Sequence, residues 1–238
     1  MTKPLEGQIA LITGASQGIG AATAKAMAAA GAHVILTARD DRKLEQIEQE
    51  IHETGGMATI APLDLAEGDG IARLASAIAN RWDRLDIMVI AAAILPELTP
   101  VTQIDQRAFS KALTVNLLAT QALIAAFDPL MKRSDTARII GLTSSVGSKP
   151  RAYWGAYAAT KAAFEVLLEC HAREVEKISN TRVAIVDPGA TRTAMRARAY
   201  PGEDPQTLKA PEAVAERIVA LVQEPFATPY RERVPEPR

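Results

Sequence analysis

Tyr157 and Lys161 stand four residues apart in the run Gly155-Ala156-Tyr157-Ala158-Ala159-Thr160-Lys161. The surrounding residues, rich in Ala, Leu, Glu and Val, read as a helix over Ala156–Lys177. On a helix that spacing puts the phenol and the ammonium on one face. A neighbouring positive charge favours phenolate and brings a tyrosine pKa toward the range of a working acid/base group. Tyr and Lys at this spacing also occur on many solvated helices. What the pair means therefore depends on the elements that position it.

Those elements alternate. Ile9–Thr13, Val34–Thr37, Thr59–Ala61, Ile87–Ala91, Arg138–Leu142 and Val183–Val186 each read as a buried strand. Helical patterns lie between them: Ala21–Ala30, Asp41–Glu53, Asp69–Arg81, Gln106–Lys132 and Ala156–Lys177. Continuous apolar strands alternating with helices predict a parallel sheet covered on both faces. The reading is a single doubly wound, Rossmann-type α/β domain over 1–238, with six strands and room for at most a short seventh. Thr191–Pro211, rich in Arg and Pro, reads as an excursion over the sheet edge, where a substrate lid would sit. Residues 225–238, with Pro225, Pro229, Pro235 and Pro237, read as a surface tail.

Composition narrows the function. The 238 residues carry a formal net charge of -1, so there is no basic footprint for nucleic acid. A single cysteine, Cys170, excludes an intramolecular disulfide and a Cys-cluster metal site. His33, His52 and His171 lack metal-ligand spacing, and no metal is expected. The first seven residues are too polar for a signal peptide, and no apolar run is expected to approach membrane-spanning length. The expectation is a cytoplasmic protein.

The chemistry begins at the N-terminal turn. Strand Ala10–Thr13 runs into Gly14-Ala15-Ser16-Gln17-Gly18-Ile19-Gly20, and a helix follows. Glycines let the backbone turn tightly and let a pyrophosphate approach. The helix start then offers free N–H groups and a positive dipole end. Gly14, Ser16, Gln17, Gly18, Ile19 and Gly20 are thus candidate dinucleotide-binding residues. The second strand ends Thr37-Ala38-Arg39-Asp40-Asp41. An NAD-selective site usually places an acid at this strand end; here Ala38 and Arg39 stand there instead. Arg39 can pair with a 2′-phosphate, so NADP(H) is preferred, with NAD(H) as the alternative. Asp40 is either a late ribose acid or, by preference, the N-cap of the helix from Asp41.

The glycine turn taken with Tyr157 and Lys161 resembles the short-chain dehydrogenase/reductase family. Matching motifs run in the family order from residue 9 to 193. They are Thr13-Gly14-x-x-x-Gly18-x-Gly20, Asp64 in Leu63-Asp64-Leu65, Asn116 in Val115-Asn116-Leu117, and Ser144 thirteen residues before Tyr157. Tyr157-x-x-x-Lys161 and Pro188-Gly189-Ala190-Thr191-Arg192-Thr193 complete the set. A narrower resemblance is to the YciK-type bacterial subgroup of oxidoreductases without an assigned substrate. It rests on Arg151-Ala152-x-Trp154-Gly155-Ala156-Tyr157 and on Thr191–Ala197 followed by Glu203-Asp204-Pro205-Gln206.

The resemblance implies roles. Tyr157 is the general acid/base; Lys161 holds the nicotinamide ribose and, with the positive nicotinamide ring of the oxidised cofactor, lowers the Tyr157 pKa. Ser144 hydrogen-bonds the reacting oxygen; its spacing favours it over Ser145. Asn116 positions a water leading to Lys161. Asp64 and Leu65 lie at the adenine, Ala91 and Ala92 beside the ribose, and Pro188, Gly189, Thr191 and Thr193 at the nicotinamide. The substrate implied is a small carbonyl compound or alcohol. The long helices carry Ala119, Ala122, Ala126, Ala159 and Ala163, and by resemblance they form a homodimer interface, with a tetramer also open. Two departures stand out. The family's Asn-Asn-Ala-Gly is replaced by Ile90-Ala91-Ala92-Ala93, losing an asparagine that ties strands together. The usual C-terminal Asp-Gly-Gly is missing from Tyr230–Arg238. Arg192, Arg196 and Arg198 leave open an anionic substrate. The rival reading is a regulatory protein that binds NADP(H) without turnover, and only the altered Ile90–Ala93 segment favours it.

Overall fold

A computed structural model describes residues 3–236. Met1, Thr2, Pro237 and Arg238, which end the N-terminal and tail readings, lie outside the described residues. Strands β1 (Ile9–Thr13) and β4 (Ile87–Ile90) are buried along their whole length. So is all but the first residue of β2 (His33–Thr37) and of β5 (Arg138–Leu142). Burial on both faces is why they read as unbroken apolar runs. With β3 (Met57–Ile60), β6 (Arg182–Asp187) and β7 (Tyr230–Arg233) they form, among the described residues, a seven-stranded parallel sheet. Its order is β3-β2-β1-β4-β5-β6-β7. The chain reverses its direction of growth between β1 and β4, which opens a crevice at the carboxyl ends of those strands.

Helices cover both faces. On one lie α1 (Gly18–Ala29), α2 (Asp41–Glu53) and α9 (Pro211–Gln223). On the other lie α3 (Gly70–Ala79), α5 (Ala119–Met131) and α7 (Gly155–Val175). The short helices are α4 (Gln106–Leu113), α6 (Ser145–Ser148) and α8 (Ala194–Ala199), of which α8 faces the crevice. Asp40 caps α2, accepting the Lys43 backbone N–H at 3.2 Å. That is the preferred of the two sequence readings.

Three expectations need correction. The C-terminal segment is not a surface tail. β7 pairs with β6 from Ala184↔Tyr230 to Asp187↔Arg233, Val234 is buried, and Lys209 Nζ donates to the Val234 and Pro235 carbonyls at 2.7 and 2.8 Å. Pro229 and Pro235 flank this strand rather than interrupt it, so its N–H groups stay available. The sequence Tyr-Arg-Glu-Arg lacks an apolar run because its charges are paired. Arg231 meets Glu165 and Glu169, and Glu232 meets Arg217. A charged edge strand also resists pairing with other chains. Second, the helix expected over Gln106–Lys132 runs without interruption to Met131 but carries a π turn at Thr114–Leu118. The extra residue in the turn directs Asn116 inward. Third, the run Gln106–Met131 is long and apolar enough by composition to cross a membrane. Here it packs on the sheet through Ala119, Leu123, Phe127, Leu130 and Met131.

The seam between β5 and α7 fixes the position of Tyr157 and Lys161. Gly141 on β5 leaves room for Phe164 and Leu168 of α7. Just beyond, the Thr143 hydroxyl donates to Glu165 Oε1 at 2.5 Å, and Arg231 Nη1 approaches Glu165 Oε2 at 2.6 Å. Glu165 is buried. Removing one member of a buried ionic group strands the others. Glu165→Ala is therefore expected to lower unfolding stability by about 3 kcal/mol, measured as the fall in urea-unfolding free energy relative to the native chain.

Candidate active site

A cavity of about 310 Å³ fills the crevice. One end is built by the turn from β1 into α1. Gly14 sits at φ 70° with its Cα side against the Ala92 backbone; a Cβ there would lie 2.9 Å from Ala92 Cα. A Cβ at Gly20 would overlap the Gly14 carbonyl oxygen. Only glycine allows this closure, and it exposes the start of α1 to the cavity. Gln17, the N-cap residue, makes no side-chain cap hydrogen bond, so the first N–H groups of α1 are left without a side-chain partner at the cavity. Gln17, Gly18, Ile19, Arg39, Asp64 and Leu65 line this end. Arg39 Nη1 lies 3.9 Å from Asp64 Oδ2 across it. Ser16 is not among the lining residues.

The segment after β4 is held without the family asparagine. The Thr13 hydroxyl accepts the N–H groups of Ala91 and Ala92, both at 3.1 Å, and donates to Val89 O at 3.4 Å. Asn116 then grips the next residue in a two-point clasp. Its Oδ1 accepts the Ile94 N–H at 2.8 Å and its Nδ2 donates to Ile94 O at 2.9 Å. Nδ2 also donates to Thr160 Oγ1 at 3.0 Å. Asn116 lies behind the cavity wall and does not line it. Thr13 was missed from the sequence as a site-building residue; its place at the strand end before the glycine turn is the signal.

At the other end Ser144, Tyr157 and Lys161 share the cavity with Ala91, Ala92, Pro188, Gly189, Thr191 and Thr193. Ser144 ends the β5 extension and faces the cavity; Ser145 instead accepts from Arg151 at 3.5 Å and lies outside it. Tyr157 and Lys161 are on the inward stripe of α7 that continues through Phe164, Leu168 and Ala172. Lys161 Nζ donates to Leu142 O at 2.8 Å. The Thr191 hydroxyl donates to Pro188 O at 3.1 Å, and Thr193 caps α8 by accepting the Arg196 N–H at 3.1 Å. Glu236 braces this turn from the C-terminal side. Its Oε1 accepts the Ala190 N–H at 3.3 Å, and its Oε2 lies 3.4 Å from Lys209 Nζ.

Beyond Tyr157 the wall is apolar: Leu95, Trp154, Met195 and Ala199. Met195 Sδ sits 3.9 Å from the Tyr157 hydroxyl. Asp187, at the end of β6, also lines the cavity and accepts the Gly189 N–H at 3.0 Å. Leu95, Met195 and Asp187 were not singled out in the sequence. Asp187 could have been, since it directly precedes the Pro188-Gly189 turn.

The protein's own groups act on Tyr157 against the direction expected from Lys161. Burial raises the Tyr157 pKa above the ordinary phenol value, and the Asp187 charge adds to this. Lys161 does not overcome burial: its Nζ turns to Leu142 O and lies 5.9 Å from the Tyr157 ring centroid. Burial also lowers the Lys161 pKa to about 8, with the Glu165 charge opposing. The unfolded chain keeps the lysine proton up to about pH 10.5 while the folded protein releases it near pH 8. Stability in the absence of ligand is thus expected to rise between those limits, by on the order of 3 kcal/mol. Lys161→Met removes that increment. Urea titrations of both proteins at the two ends of the window check it.

The family profile for short chain dehydrogenases matches residues 8–204. The uncharacterised oxidoreductase YciK of Escherichia coli (strain K12) is 40% identical over 210 residues, covering 87% of this chain and 82% of that protein. A short chain dehydrogenase from Shigella flexneri, solved in complex with NADP, superposes with a TM-score of 0.94 at 36% identity, covering 98% of this chain and 99% of that one. A short chain dehydrogenase from Escherichia coli CFT073, complexed with NADPH, gives 0.94 at 37% identity with the same coverage. With the glycine turn and the Ser144, Tyr157 and Lys161 side chains on one cavity, these likenesses identify the chain as a member of the short-chain dehydrogenase/reductase family.

Proposed function

We propose that the protein is an NADP(H)-preferring carbonyl reductase or alcohol dehydrogenase with Tyr157 as general acid/base. The convergence of Ser144, Tyr157 and Lys161 on the cavity opened by the glycine turn carries this reading. The cradle fits a dinucleotide. Positions 14 and 20 have no room for a Cβ, and the uncapped start of α1 presents N–H donors. NADP(H), when bound, supplies or accepts the hydride. Tyr157 passes its hydroxyl proton to the carbonyl oxygen of the substrate, or takes it back from the alcohol. Its raised pKa keeps the phenol protonated, which suits reduction. Ser144 donates a hydrogen bond to the same oxygen, where negative charge develops. Lys161 keeps its bond to Leu142 O and turns its remaining N–H donors to ribose hydroxyls. Asn116 keeps the Ile94 segment and Thr160 in place beside Tyr157, and positions a water that leads to Lys161.

Arg39 supports the phosphate preference. Ala38 offers no acid to a ribose hydroxyl, and Asp40 is committed to capping α2. The complexes of related dehydrogenases with NADP and NADPH agree. Residues 191–211 act as the substrate lid, with α8 over the pocket. The protein is a homodimer in this reading. Leu118 and Val166, at the start of α5 and on α7, are exposed apolar side chains that such an interface would cover. A binder without turnover would need the glycine turn but not all three of Ser144, Tyr157 and Lys161.

Tyr157→Phe is expected to bind NADPH as the native protein does while turnover of a responsive carbonyl compound falls by about a hundredfold or more. Full activity in that variant would defeat the reading. NADPH is expected to bind more tightly than NADH, and Arg39→Ala to weaken NADPH by about tenfold while leaving NADH unchanged. Fluorescence titration with both cofactors decides this.

A further inference from the structure

We infer that the site takes an uncharged, apolar carbonyl compound, and that Glu203 enforces this by withholding Arg196 from the substrate. The inference rests on the hydride-transfer reading above. It starts from the arginines around the pocket, which in the sequence left an anionic substrate open. Arg196, Arg198 and Arg151 are engaged by other groups, and Arg192 does not line the cavity. Arg196 lines the cavity, but its guanidinium is held edge-on by Glu203: Nε to Oε2 at 2.6 Å and Nη2 to Oε1 at 2.5 Å. Its face lies 3.8 Å from the Tyr200 ring centroid. Arg198 donates to the Leu95 carbonyl. Arg151 donates to the Tyr200 hydroxyl at 3.0 Å. The side chain of Arg192 is exposed and is not among the lining residues.

A substrate carboxylate would have to displace Glu203 from Arg196. That exchange trades one carboxylate for another, and Glu203 holds the advantage of being tethered seven residues away. Without the exchange, the carboxylate would face Leu95, Trp154, Met195 and Ala199, which cannot solvate it. The Trp154 ring, 6.0 Å from that of Tyr157 and 5.8 Å from that of Tyr200, makes this wall broad enough for an alkyl or aromatic group next to the reacting oxygen. The same paired charges shape the lid: Arg196 with Glu203 closes α8 onto the following turn, and Arg198 ties it to the segment after β4. Specificity and lid closure therefore share one ion pair.

The test uses methyl hexyl ketone and the matched keto acid in which the terminal methyl of the hexyl chain is replaced by a carboxylate. With NADPH, kcat/KM of the native protein is expected to favour the ketone by about tenfold or more. Glu203→Gln frees Arg196 and is expected to narrow that preference by about fivefold or more, through a lower KM for the keto acid. Arg196→Leu, which removes the cation, keeps the ketone preference and serves if Glu203→Gln is poorly folded. Binding is read separately from Trp154 fluorescence in a Trp82→Phe background. Ketone binding without turnover, in the native chain as in Tyr157→Phe, supports the substrate class while counting against hydride transfer. A native preference for the keto acid, an unchanged ratio in folded Glu203→Gln, or no binding of either probe overturns the inference.

Discussion

The site depends on how the carboxyl end of β5 is fastened to the flank of α7. Two hydrogen bonds one helical turn apart do this: Lys161 Nζ to Leu142 O and the Thr143 hydroxyl to Glu165. They bind consecutive residues of the strand end, and Ser144 is the next residue along. The distance between the serine and the tyrosine is thereby set by the seam. The seam is polar where the packing around it, Phe164 and Leu168 on β5, is apolar. Apolar contact supplies most of the attraction. The directional bonds select one register, because a buried carboxylate or ammonium tolerates few arrangements.

The opposite wall is organised by a second fastening, between β1 and the segment after β4. Thr13 gathers two N–H groups that continue past the end of β4, and Asn116 clasps Ile94 from behind. Asn116 can reach because the π turn rotates it inward. Asn116 also touches Thr160, which lies between Tyr157 and Lys161 on α7. The two walls are thus coupled through one buried amide. The segment after β4 is thus held by a hydroxyl from the neighbouring strand and an amide from a helix, with alanines where the family has its strand-tying asparagine.

Local pattern made much of this legible in the sequence. The buried strands are apolar because both faces are covered. Asp40 announced a helix start, and Tyr157 and Lys161 share a face because a helix has a fixed pitch. What stayed hidden depends on partners distant in the chain. Glu165 looks like an ordinary helix glutamate until Arg231, 66 residues later, comes beside it. For the same reason β7 carries charges where a strand is expected to be apolar. The sign of the Tyr157 shift was also hidden, because the sequence places a lysine nearby but cannot weigh that charge against burial. The π turn left no mark either, since apolar and small residues continue through it. Arg196 and Arg198 looked free only because Glu203 and the Leu95 carbonyl are brought to them by folding.

The bracing of the Pro188–Ala190 turn by Glu236 and Lys209 ties one wall of the cavity to the edge of the sheet. These two side chains reach the turn from the residues that follow β7 and from the stretch just ahead of α9. The strand beside β6 and the partner of Glu165 come from the same edge. The nicotinamide-side turn and the seam beside Tyr157 and Lys161 therefore share a support, and a change that loosens β7 reaches both.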